Sequence, residues 1–571
     1  MEVIQKDYGI GITDAPCAIA KSYPSEPSVD ESYLNEENRD GDVDPNVLDR
    51  KEAKADERRK FQLGKLKEEW LTQQQAYLNL PSPERKMAIQ QIETKINQLR
   101  DELGWSNTES YAVIAENPFL DPQHDPLSTF SIDVDTASYS NLRRFLNQGQ
   151  LPPPGAIRIE ELINYFDYAY PTPDPGQPFS ASVEVTSAPW NEAHRIARIG
   201  LKGYEVDPAS RPACNLVFLV DVSGSMENPN KLPLVQSSLT KLVNHLRGDD
   251  SVALVVYAGS SGTLLDPTPV SQKATIVQAI QQLSAGGSTQ GSAGIEAAYA
   301  LAQSAFKKDG INRIILATDG DFNVGISDNS SLEKLISEKA KGGVFLTVLG
   351  FGMGNYQDST LELLADKGNG FYAYIDSEVE ADKVMVHQLT GTLMTIAKDV
   401  KIQVEFNPQA VSSYRLIGYE NRKMAARDFN DDSKDAGEIG AGHTVTALYE
   451  IVPVDQASKA GSIDPLKYQA QAEPTADAFS NELLTVKIRY KKPDSDTSQL
   501  LSFPVSDSYQ KLEETSADTQ FALAVACFGL NLRGSAIQTP WPKVQKWLKA
   551  ASTDPLRLEF QTLVEKAIAL Q

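Results

Sequence analysis

Apolar and polar positions change rhythm several times along the chain. Residues 1–56 carry no apolar periodicity and are rich in Asp, Glu, Ser, Asn and Pro, which predicts a disordered acidic segment. Phe61, Leu63, Leu66, Trp70, Leu71 and Tyr77 then recur at helical spacing. Pro81-Ser82-Pro83 breaks the run, and Met87, Ile89, Ile92, Ile96, Leu99 and Leu103 resume it, so 57–108 reads as a helical hairpin. Residues 128–170 combine a short strand, a capped helix, a proline turn and a second helix. Alternation in SASVEVTSAPW and RIARIGLKGYEV, within 180–206, predicts two antiparallel strands.

From 215 to about 396 the pattern changes again. The apolar runs NLVFLV, VALVVYA, RIILAT and VFLTVLGF alternate with helical segments near 231–247, 272–283, 291–308, 331–341 and 357–366. Strands apolar on both faces, separated by helices, predict a doubly wound parallel sheet covered on each side. After 398, alternation returns in VKIQVEF, YRLIGYE, HTVTALYEIV, LLTVKIRY and LLSFPV. Residues 516–571 are helical, with Phe521, Leu523, Val525, Phe528 and Leu530 on the first helix and Trp541, Trp547, Leu558 and Leu563 beyond it.

The candidate chemistry sits where the first parallel strand ends. In NLVFLVDVSGSMENPNKL, Asp221, Ser223 and Ser225 follow the apolar run at every second position, while Gly224, Pro229 and Pro233 end extended structure. This favours a loop that gathers three oxygen ligands over one face of a strand. Asp319 immediately follows RIILAT, and Thr289 stands in the glycine-rich turn SAGGSTQGSAG. Ligands of open α/β sheets bind outside the carboxyl ends of the strands, at a topological switch point, and neighbouring strands would bring these residues there. Two carboxylates and three hydroxyls suit a hard divalent cation, and they leave it incompletely neutralised, with room for an external carboxylate.

Composition removes other function classes. The 571 residues are 41% hydrophobic and 23% charged, ordinary for a soluble globular chain. A net charge of −23 argues against nucleic acid and against docking on anionic lipid. Cys17, Cys214 and Cys527 form no CxxC pair, and five scattered histidines contain no HExxH, so disulfide scaffold, zinc ribbon and zincin protease are all disfavoured. No apolar run reaches the roughly 18 residues of a membrane span. The N-terminus shows no signal peptide, and Cys17 lacks the small apolar box that precedes a lipidated cysteine.

Rival motifs are weaker. Asp133 and Asp135 would need Gly at 138 and Glu at 144 to make an EF-hand loop; Ser138 and Arg144 stand there, so a strand end and helix cap is preferred. The run Gly350-Phe351-Gly352-Met353-Gly354 lacks the last glycine of a dinucleotide fingerprint, and 286–291 is no P-loop. Ser223 and Ser225 have no GxSxG elbow and no evident His partner, His245 falling late in the following helix. The acidic run Asp428, Asn430, Asp431, Asp432 reads as a solvated hairpin tip.

D-V-S-G-S-M, Thr289 and T-D-G at 318–320 together resemble the metal-ion-dependent adhesion site of von Willebrand factor A domains. Residues 128–170, 428–453 and FALAVACFGLNLRGS (521–535) resemble the bacterial YfbK-type von Willebrand factor A proteins, over roughly 110–571. The resemblance implies a cell-envelope location, since members are commonly exported, often as lipoproteins. Phe322, Asn323 and Val324 follow Asp319 closely and should help shape the metal face, and the resemblance implies that the last helix of the domain, near 378–396, can move on ligand engagement.

The architecture expected is therefore multidomain, α/β plus all-β. The order is a disordered segment (1–56), a helical hairpin (57–108), a conserved N-terminal region (109–179), first strands of a β-sandwich (180–206), an inserted A domain (207–397), the rest of the sandwich (398–515) and a helical segment (516–571). Two strands alone bury too little, so those of 180–206 should join the later ones. The expected function is a non-enzymatic, metal-dependent protein-binding scaffold. Asp221, Ser223, Ser225, Thr289 and Asp319 would hold Mg2+ or Mn2+, with Ca2+ possible, and a partner protein would supply an Asp or Glu. The alternative is a non-catalytic subunit of an ATPase-coupled or chelatase-like assembly, although this chain carries no ATPase motif.

Overall fold

The computed structural model describes residue 109 and residues 111–571 apart from 133–134, 208–209, 259–260, 287–290, 321–328, 354–355, 389–392, 435, 457–473 and 552–553. Before 109 it describes only residues 62, 65–66, 69, 72–73, 85, 87–89, 91–92 and 95, all helical. The acidic segment 1–56 and the rest of the expected hairpin lie outside the described residues.

The chain opens with β1 (Leu127–Ser131), α1 (Ala137–Asn147), α2 (Ile159–Asn164), β2 (Phe179–Ala188) and β3 (Asn191–Gly203). A second sheet segment follows: β4 (Cys214–Asp221), α3 (Leu232–His245), β5 (Ser251–Tyr257), β6 (Ser261–Pro269), α4 (Lys273–Gln281), α5 (Gly291–Ser304), β7 (Ile311–Thr318), α6 (Asn329–Lys341), β8 (Phe345–Phe351), α7 (Asp358–Lys367), β9 (Tyr372–Ile375) and α8 (Glu378–Asp382). Then come β10 (Thr395–Phe406), β11 (Val411–Ile417), β12 (Lys423–Met424), β13 (Gly437–Gly440), β14 (Thr444–Pro453), β15 (Glu482–Lys491), β16 (Ser498–Ser506), α9 (Ala517–Arg533), α10 (Trp541–Ala551) and α11 (Pro555–Leu570).

The central sheet runs β6-β5-β4-β7-β8-β9. All residues of β4 are buried because both its faces are covered. Leu216, Phe218 and Val220 meet Val235 and Leu239 of α3 on one side, and Val217 and Leu219 meet Ile295 and Tyr299 of α5 on the other. The expectation of a wholly parallel sheet is corrected at one edge, where β6 runs antiparallel to β5. The link from Tyr257 to Ser261 is too short for the crossover a parallel neighbour requires. Pro267 and Pro269 suit β6 to an edge, where a missing N–H costs little. The last helix is also shorter than expected: α8 passes into a π-helical turn at 383–388 rather than reaching 396.

Two antiparallel sheets accompany the central one. One runs β12-β1-β10-β15-β16 with β13 on β10; the other runs β11-β14-β3-β2. Both mix strands from before and after the central sheet: β1 pairs with β10, and β3 pairs with β14 in the register Leu201↔Val445. Phe130, Ile402 and Val486 of the first sheet share one buried cluster with Ile199, Tyr414 and Tyr449 of the second. Helices α9 and α11 pack through Phe521, Phe528 and Phe560 onto Leu142 of α1 and Leu162 of α2.

Asp135 reaches from the start of α1 to the central sheet. Its Oδ1 accepts the Tyr372 N–H of β9 at 2.7 Å, and its Oδ2 pairs with Arg422 at 2.9 Å. The N-cap of α1, Thr136, makes no side-chain cap bond. α1 thus lies along the outer strand of the central sheet, with Ala137 in that sheet's core. Three arginines fasten the seam. Arg143 pairs with Asp376, Glu380 and Glu559; Arg158 with Glu161, Asp358 and Glu362; Arg422 with Asp135, Glu362 and Asp366. Nor is the acidic run a hairpin tip. It forms a turn whose carbonyls at Asp428 and Asp432 take the Lys401 and Lys491 ammonium groups, while Arg489 binds Asn430.

Candidate metal centre

β4 and β7 are parallel neighbours in the register Val220↔Ala317, so Asp221 and Asp319 leave adjacent strand ends. The chain turns away from β4 towards β5 and from β7 towards β8, which makes this gap the switch point of the sheet. Asp221 is fully buried. Its Oδ1 accepts the Ser223 N–H at 2.9 Å, an Asx turn that bends the loop back over the strand. Its Oδ2 accepts the Thr318 hydroxyl at 3.3 Å. The Ser223 and Ser225 hydroxyls lie 3.0 Å apart, the first buried and the second exposed, so the cluster opens to solvent at Ser225.

Asp319 stands on a turn only glycine can close. Gly320 has φ +95°, and a Cβ there would lie 2.8 Å from Tyr356 Cα. The third loop is anchored at its start: Gly286 N–H donates to Val222 O at 2.7 Å, and Val222 N–H donates to Tyr257 O at 3.0 Å. Thr289 lies outside the described residues, as do Phe322, Asn323 and Val324. The structure thus brings Asp221, Ser223 and Ser225 together, with Asp319 at the neighbouring strand end.

Burial pushes the Asp221 carboxyl up to about 6; hydrogen bonds from Ser223 oppose the rise, and the charge of Asp319 adds to it. Among the described residues no three His, Cys, Asp or Glu side chains are grouped so as to hold a metal ion, so an ion here would draw on hydroxyl oxygens as well as two carboxylates. His245 turns to the Lys241 carbonyl of its own helix, away from the serines.

One residue escaped sequence reasoning. Lys231 is buried, and its Nζ donates to Asp319 Oδ2 at 2.8 Å. The available signal was a lysine in the position that caps α3, where Ser, Thr, Asp or Asn would be usual.

The family described as von Willebrand factor type A domain matches residues 215–389, the one described as von Willebrand factor matches 105–198, and that of the YfbK C-terminal region matches 391–570. YfbK of Escherichia coli (strain K12) is 44% identical over 472 residues, covering 81% of each chain. The chain belongs to the YfbK family of von Willebrand factor A proteins. More distantly, human inter-alpha-trypsin inhibitor heavy chain H3 is 24% identical over 260 residues, which span 42% of this chain and 28% of that one. A solved von Willebrand factor type A protein from Catenulispora acidiphila matches 68% of this chain and 88% of its own, at 15% identity and a TM-score of 0.40. Von Willebrand factor A domains commonly mediate metal-dependent protein interactions. No helix among the described residues of this YfbK-family chain is long and apolar enough to cross a membrane.

Proposed function

We propose that this protein is a metal-dependent binding module. Asp221, Ser223, Ser225, Thr289 and Asp319 would hold one divalent cation, Mg2+ or Mn2+ with Ca2+ also compatible, and a partner protein would complete the site with an Asp or Glu. The observation that carries this reading is Asp221, a buried carboxylate whose hydrogen-bond donors, the Ser223 N–H and the Thr318 hydroxyl, are neutral. A buried carboxylate without a cationic donor is costly unless an external cation completes it. The bound ion supplies an electrophilic point for a carboxylate. The chain's own part is to hold Asp221 by the Asx turn, keep Ser223 and Ser225 side by side, and leave Ser225 open to the partner.

The two antiparallel sheets serve as one β-sandwich interrupted by the A domain (207–397), with strands from 180–206 and 398–515 and with β1 (Leu127–Ser131), which lies outside those bounds, as a further early strand. The shared cluster of Phe130, Ile199, Ile402 and Tyr449 supports this reading. A domain held through both its ends is a firm mount for a binding face.

The test joins metal uptake to capture. Asp221→Ala should weaken Mn2+ binding at least about 100-fold with the melting profile retained. A partner captured by the wild type in Mg2+ should be lost both in EDTA and with the variant. Capture that survives EDTA unchanged would overturn the mechanism.

A further inference from the structure

The Lys231–Asp319 pair is placed where no packing requirement explains a lysine. At the N-cap of α3 its side chain cannot accept a backbone N–H, and its charge adds to the positive end of the helix. The fold nevertheless makes room for it. Gly352, at the end of β8, has φ +73°, and a Cβ there would lie 2.4 Å from both Cγ and Cε of Lys231. The Tyr374 phenol donates to Gly352 O and fixes that turn, and the Arg144 guanidinium of α1 lies over the Tyr374 ring. A groove shaped by glycine thus brings the Lys231 ammonium group to the Asp319 carboxylate.

We propose that Lys231 is the resident counter-ion of the metal site. Its ammonium neutralises Asp319 while no divalent cation is held, so metal entry is an exchange in which Lys231 yields or shares Asp319. The inference rests on the reading of Asp221 to Asp319 as a metal cradle. Charge counting then defines the partner group. Among the described residues, the two carboxylates Asp221 and Asp319 against the Lys231 ammonium leave a single net negative charge. A divalent ion reverses that to a single positive charge, which one carboxylate from outside brings to neutrality. Without Lys231 the loaded site would already be neutral and would have less need of an acidic partner. Lys231 therefore weakens metal binding and strengthens the call for a carboxylate.

The experiment uses the full chain and Mn2+ alone as probe, with Lys231→Met, Lys231→Gln and Asp221→Ala beside the wild type. Removing a like charge a few ångströms from the ion should tighten the Mn2+ dissociation constant about tenfold or more in both lysine variants. In EDTA both variants should melt below the wild type, and Mn2+ should raise their melting temperature more than it raises the wild type's. If both neutral variants bind Mn2+ no tighter than the wild type while Asp221→Ala loses it, the counter-ion role is wrong and the metal reading stands. If Asp221→Ala binds Mn2+ as the wild type does, or none of the proteins binds it, the metal reading falls and this inference with it.

Discussion

The candidate metal edge of the central sheet and the seam between that sheet and helices α1 and α2 both bury carboxylates, and Asp221 of the one and Glu380 of the other are treated in opposite ways. At the seam, Glu380 is fully buried yet receives Arg143 Nη2 and the Tyr165 phenol, each at 2.7 Å. Burial would raise its pKa, but the Arg143 charge overrides that and holds it below the usual range. At the metal edge Asp221 is equally buried, its donors are neutral, and its pKa rises. Burial is common to both; the guanidinium is not. Where the fold needs a carboxylate only to fasten two parts together, it supplies arginine.

The sharpest way to break this contrast is to remove charge from each region in EDTA. Arg158→Met strands Asp358 and Glu161 in the seam and should cost about 3–5 kcal/mol in denaturant unfolding. Asp221→Asn should stay within about 1 kcal/mol of the wild type, since it removes a charge that no cationic side chain matches. Similar losses from the two would erase the distinction.

A smaller effect is expected from Gly352→Ala. The added Cβ strains a left-handed residue and displaces the Lys231 stem, for a loss of about 2 kcal/mol in EDTA. Part of that loss should vanish in an Asp319→Asn background, where Lys231 has less to hold it.

The smallest effect concerns pH at the seam. Lys383, half-buried with its Nζ on Tyr165 O at 2.7 Å, is pushed by burial from its ordinary 10.5 down to about 7. Glu380, Asp167 and Glu559 oppose this fall and Arg143 adds to it. The unfolded chain then binds the extra proton between about pH 7 and 10.5, so this group's contribution to stability rises with pH through that window. Wild-type stability relative to Lys383→Met should increase by roughly 1 kcal/mol from pH 7 to 9, allowing for partial exposure to solvent. Denaturant titrations at the two pH values check the sign.

What could be read from sequence divides along the same physical line. NLVFLV reported β4 because burial on both faces leaves an uninterrupted apolar run, and Asp221 followed it to the switch point. RIILAT located Asp319 in the same way. Those signals are local. The antiparallel direction of β6, the junction of Asp135 with Tyr372, and the pairing of Lys231 with Asp319 depend on partners distant in the chain, and periodicity carries no record of them. Strands β12 and β13, of two and four residues, are too short to show alternation.

The junction at Asp135 also bears on how this protein can be divided. β9 is the outermost strand of its sheet, and α1 with Asp135 occupies the side that faces no other strand. A fragment cut at 207 and 397 would keep all the candidate metal residues yet expose four residues of unsheathed strand, Tyr372–Ile375, open to strands from neighbouring molecules. Self-association of such a fragment would say nothing about the intact chain. The sheet that carries the candidate residues depends on the sequence that precedes it, so this A domain is not a cassette to be lifted out intact.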